Sequence, residues 1–97
     1  EGVFMPNVFS PNGDGVNDRI TLFADNSVDE ILELRIFSRW GEEVFYRANF
    51  LPNDLSLGWD GTLKEQEMLP GVFAYYLKVR CIDGQFLFMK GDILLMK

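Results

Sequence analysis

Ten consecutive residues, VFAYYLKVRC at positions 72–81, alternate so strictly that they fix what the chain can become. Phe73, Tyr75, Leu77, Val79 and Cys81 fall on one side of an extended chain, with Ala74, Tyr76, Lys78 and Arg80 on the other. Successive side chains of a strand point to opposite faces, so this spacing belongs to a half-buried β-strand. Asp83 and Gly84 follow at once, a dipeptide suited to the tight turn of a hairpin. A strand that turns back in this way needs an antiparallel neighbour and a second apolar layer to cover its face.

The rest of the chain reads in the same period. Helical spacing of apolar residues is weak throughout, and Gly, Asn and Asp interrupt at short intervals. A first strand is predicted over residues 3–9 and a second over 19–24, where Ile20 and Leu22 alternate with Arg19 and Thr21. A third, over 31–39, sets Leu32, Leu34 and Ile36 against Glu33 and Arg35. Trp40 and Gly41 supply its turn, and residues 43–48 return beside it. Residues 49–68 read as one long surface connection, with a short strand over 58–63. The end of the chain reads as two strands, 86–89 and 92–96, divided by Lys90 and Gly91. The expected fold is all-β: one Ig-like antiparallel sandwich of about seven strands, occupying residues 1–97 as a single domain.

Composition supports a core and narrows the partners. Of 97 residues 47% are apolar, enough to build a core without disulfides, and Cys81 is the only cysteine. Fifteen acidic residues against nine basic give a net charge of −6, which disfavours nucleic acid as a partner and suits cations or a basic protein patch. No apolar run approaches the roughly 20 residues that a membrane helix needs. The chain has no histidine, which removes the usual Ser–His and Cys–His arrangements and the common zinc ligand set. Cys81 lies on the inward face of its strand, and the Asp29–Glu30 pair reads as a solvated turn. An enzyme is not expected.

Five segments, NVFSPNGDGVND, LRIFSRWGEEVF, GWDGT, LPGVFAYYLKV and GDILLMK, occur in the order of one family. Over residues 7–97 the chain resembles the gliding-motility-associated C-terminal domain, the type B sorting domain of the type IX secretion system of Bacteroidota. The resemblance implies a non-catalytic sorting and anchoring domain at the end of a larger secreted protein. Such a domain is recognised by the type IX translocon and an outer-membrane docking protein, and takes its cargo through the periplasm to the cell surface. Ser38 stands where the family commonly has Asn, Phe73 where it has Tyr, and Lys97 where it ends on Arg.

Three places carry candidate sites. In FSPNGDGVND, the side chains of Asn12, Asp14, Asn17 and Asp18 supply oxygens and Gly13 and Gly15 let the backbone curl. That suits calcium, with Asp60 as a further oxygen source. It also suits a turn in which Asx side chains cap their own backbone, a reading that by itself explains Asn, Asp and Gly at these positions and needs no ion. Trp40 and Trp59 are expected to fold back over the ends of the sandwich, the alternative being exposed indoles that stack on sugars. The third place is the closing stretch Gly91, Asp92, Ile93, Leu94, Leu95, Met96 and Lys97, the expected recognition surface. With Phe86, Phe88, Ile93 and Leu95 pointing inwards, Leu87, Met89, Leu94 and Met96 would form an exposed apolar row. Natural sheets cover such an edge, by an added strand from a partner, a homodimer or a swapped last strand. Two other functions compete with sorting: a calcium-dependent adhesion or carbohydrate-binding module, and a plain Ig-like spacer.

Overall fold

The computed structural model describes residues 2–13, 15 and 18–96. In chain order the strands are β1 (Val3–Phe4), β2 (Val8–Phe9), β3 (Phe23–Ala24), β4 (Val28–Phe37), β5 (Glu43–Phe50), β6 (Thr62–Leu63), β7 (Gln66–Glu67), β8 (Gly71–Cys81) and β9 (Phe86–Leu95). A 3-10 turn covers Leu55–Leu57, and no α-helix occurs among the described residues. The fold is all-β and sandwich-like, with nine strands among the described residues in place of about seven. Five of them form the main sheet, in the order β2-β9-β8-β4-β5. Every neighbouring pair in it is antiparallel except β2 and β9, which run parallel at Val8–Leu94 and Phe9–Leu95.

The alternation in β8 is kept: Phe73, Leu77, Val79 and Cys81 are buried on one face. Its partner β9 is one uninterrupted strand rather than two. The register from Gly71↔Leu95 to Arg80↔Phe86 never shifts, so Lys90 and Gly91 are ordinary strand positions. That continuity reverses the expected facing of its first half. Ile93 and Leu95 point inwards, and the same parity puts Leu87 and Met89 against the core and leaves Phe86 and Phe88 outside. In β4 the register shifts between Ile31 and Glu33, so the inward set becomes Val28, Ile31, Leu34 and Ile36, and Leu32 is only half-buried. A bulge adds one residue to a strand and so changes which side chains share a face.

The second layer is built from small pieces. β1 pairs with β3, β6 pairs with β7, and a single bridge joins Ile20 to Trp59. The predicted strand over 3–9 is therefore two short ones, separated by Met5, Pro6 and Asn7, and of the strand over 19–24 only Phe23–Ala24 remains. Proline cannot donate to a ladder, which accounts for the break at Pro6. Trp59 ties this layer to the sheet. It is 1% exposed, lies 5.5 Å from the ring of Phe9 and 5.1 Å from that of Phe73, and donates from Nε1 to the Thr62 carbonyl at 2.9 Å. The backbone before it passes very close to Ile20: a Cβ on Gly58 would stand 2.4 Å from the Ile20 carbonyl oxygen. Only glycine fits that crossing.

Candidate functional site

The closing stretch does not lie on one surface. Alternation divides it: Ile93 and Leu95 are 0% and 1% exposed and serve the core, whereas Asp92, Leu94 and Met96 face outwards. Gly91 is half-buried beneath the side chain of Tyr75, and Lys97 lies outside the described residues. The exposed half continues across neighbouring strands. Val8 of β2 and Val72 of β8 both stand opposite Leu94, and the three are 42%, 48% and 38% exposed. An apolar row thus crosses three strands at one end of the sheet. Sequence reasoning missed Val8 and Val72, because their pairing with Leu94 is decided by register and leaves no mark in either segment.

The row runs into a groove. Val72 shares a depression of about 360 Å³ with Arg39, Trp40, Met68, Leu69 and Phe73. Trp40 is 82% exposed, so it does not cover the sandwich end as expected. The cause is the turn that carries it. Ser38 accepts backbone bonds through Oγ from Trp40 and Glu42, and its own N–H donates to the Glu42 carbonyl at 2.8 Å. Ser38 is buried and completes the turn alone, which leaves the indole outside. The Arg39 guanidinium rests over that indole at 5.2 Å.

In the Gly-rich loop the Asp18 carboxylate is occupied by the chain itself. Its Oδ1 accepts from the backbone N–H of Asn12 at 3.1 Å and of Gly13 at 3.0 Å, and its Oδ2 from Gly15 at 2.7 Å. Those bonds make a braced turn. Asp14 and Asn17, the other members of the expected calcium set with Asn12, lie outside the described residues. Asp60, offered as a further ligand, accepts through Oδ1 from both the N–H and the hydroxyl of Thr62. Among the described residues no three acidic or thiol side chains converge.

The remaining candidates lie within strands. Cys81 is buried at 7% exposure. Asp29 and Glu30 are not on a turn: they belong to β4 and clasp Arg80 across the sheet, at 3.0 Å and 2.7 Å. Both carboxylates and the hydrogen bonds they accept hold the Arg80 guanidinium above its ordinary value. On the same face Arg35 bridges Glu33 and Glu43 and lies 4.6 Å over the ring of Tyr46.

The family model of the CHU_C type IX secretion signal domain matches residues 3–94. Comparison with curated proteins finds no match. The matched span takes in both layers of the sandwich and the apolar row, and stops at Leu94.

Proposed function

The chain belongs to the type IX secretion signal domain family, and on that premise we propose that it sorts an attached cargo across the outer membrane to the cell surface. The domain performs no chemistry in this reading. It acts as a folded badge, recognised by the type IX translocon and an outer-membrane docking protein. The single observation that supports a docking face is the row Val8, Leu94 and Val72: three large aliphatic side chains, exposed side by side on adjacent strands. Side chains so placed gain by leaving water only when another surface covers them. Docking there uses the exposed half of the closing stretch and leaves Ile93 and Leu95 in the core.

The test is an export assay. A signal peptide and a fluorescent reporter are placed ahead of residues 1–97 in a bacterium that has this system. The reporter should reach the surface, stay in the periplasm when the translocon is disabled, and stay there again with Val72→Glu and Leu94→Glu combined. Periplasmic reporter with the unaltered chain, or full export of the double variant, would defeat the reading.

One observation favours a second reading. Trp40 is exposed, carries Arg39 on its ring and borders the groove, a setting that suits stacking of a sugar. A carbohydrate-binding module would show glycan binding that Trp40→Ala abolishes while export is unaffected.

A further inference from the structure

The main sheet has two edges, and they are built differently. β5 forms one edge, and it is guarded: Glu43 and Arg47 stand on it, Glu43 is clasped by Arg35, and its register against β4 shifts between Ile36 and Phe37. Charges and bulges are the usual means of preventing a strand from pairing further. β2 forms the other edge but covers only Leu94 and Leu95 of β9. Among the described residues nothing pairs with residues 86–92 on that side.

The direction of that free edge is fixed. Leu94 and Met96 donate their N–H groups to the carbonyls of Asn7 and Phe9, at 2.8 Å and 2.9 Å. The unshifted register of β9 carries this parity back along the strand, so the N–H and C=O groups of Phe86, Phe88 and Lys90 point towards the same open side. The side chains of these residues lie on the outer face, where Phe86 and Phe88 are 55% and 56% exposed. Leu87 and Met89 lie on the inner face, half-buried. This stretch, FLFMK, is apolar and free of proline, and has one charge along its length.

We infer that the free edge of β9 pairs antiparallel with the same edge of a second copy of this chain, about a two-fold axis through Phe88. The edge is self-complementary in that register. Phe88 meets Phe88 of the other copy, Leu87 meets its Met89 on the inner face, and Phe86 meets its Lys90 on the outer face. An ammonium over a phenyl ring is the chemistry this face already uses: Lys78 Nζ lies 5.2 Å from the Phe86 ring and 5.6 Å from the Phe88 ring. Centring on Lys90 would oppose two ammonium groups and drive Phe86 against the position that β2 holds beside Leu94. Centring on Met89 would oppose Phe86 to Asp92 and Leu87 to Gly91. The chosen register ends each copy's Asp83–Gly84 turn beside Asp92 of the other, short of β2. The result is one continuous sheet through both copies, with each free edge removed. This inference stands apart from sorting, since it concerns the purified chain without any translocon.

The experiment is sedimentation equilibrium of the 97-residue chain from about 1 μM to 1 mM, the range in which modest interfaces assemble. The mass should rise from 11.2 kDa towards twice that value. Phe88→Lys, which places two ammonium groups on the axis, should weaken association at least tenfold. Phe88→Cys should form an intermolecular disulfide under mild oxidation, because directly opposed hydrogen-bonded residues have Cα atoms about 5.5 Å apart. Trp40→Cys should not cross-link. A mass that stays at 11.2 kDa throughout overturns the proposal. So does a dimer that Phe88→Lys leaves intact, or Trp40→Cys cross-linking faster than Phe88→Cys.

Discussion

Tyr75 stands directly opposite Gly91 in the β8–β9 ladder, and its ring covers the place where a side chain at Gly91 would be. A Cβ built there lies 3.0 Å from Tyr75 Cε2 and 3.3 Å from its hydroxyl. The motif glycine of the closing stretch therefore makes room for a neighbouring ring, and its role is in the fold before it is in recognition. The ring in turn covers a backbone that glycine leaves bare.

Gly91→Ala should destabilise the domain by about 1 kcal/mol, because the new methyl group pushes Tyr75 from its seat. In a Tyr75→Ala background the same substitution should cost nothing, or stabilise slightly, since alanine suits a strand interior better than glycine. Urea unfolding of the four proteins measures the coupling. Equal costs in both backgrounds would mean the two residues do not share the site.

Burial raises the Tyr75 phenol above its ordinary value of 10.0. A raised folded value means the folded protein holds this proton longer than the unfolded chain does. The contribution to stability is whole below the unfolded value and is lost as pH rises through the folded one. Above pH 10, then, the native chain should lose stability faster than Tyr75→Phe, with the two curves parallel near neutrality. Thermal unfolding across pH 8 to 11.5 checks this, and curves that stay parallel throughout contradict it.

The two tryptophans should separate cleanly. Trp59→Ala removes the contact with Phe9 and Phe73 and the bond to Thr62, and should cost about 3–5 kcal/mol. Trp40→Ala touches only the surface and should stay within about 0.5 kcal/mol of the native protein. Comparable losses at both positions would place Trp40 in the core after all.

Asp18 holds three backbone N–H groups, so Asp18→Ala should cost about 1 kcal/mol or more. With the loop braced in this way, added calcium should leave the unfolding midpoint where it was. A midpoint that climbs with calcium and falls back with a chelator would assign the loop to metal instead.

Lys64 and Glu65 join β6 to β7 with φ of 54° and 69°, a left-handed pair that ordinary side chains resist. Replacing them with Asn and Gly should raise stability by about 1 kcal/mol, because both adopt that conformation with less strain. Circular-dichroism melts would show a higher midpoint, and a lower one would mean that the original side chains make contacts that outweigh the strain.

Local chemistry along the chain sets the period of the structure. The inward set Phe73, Leu77, Val79 and Cys81 and the hairpin at Asp83 and Gly84 both follow from alternation and turn chemistry, which are local. The five ordered motifs likewise carry the family. The Lys64–Glu65 turn was hidden, because its φ values are imposed by the pairing of β6 with β7 and KEQE contains no turn-former. Phase and adjacency come from the packing of strand against strand. An added residue in β4 moved Ile31 inwards and Leu32 aside, and an unbroken β9 carried Phe86 and Phe88 to the outer face. Only pairing set Val8 and Val72 beside Leu94. A period of two has two phases of equal local cost, and the choice between them is made by whichever strand lies alongside.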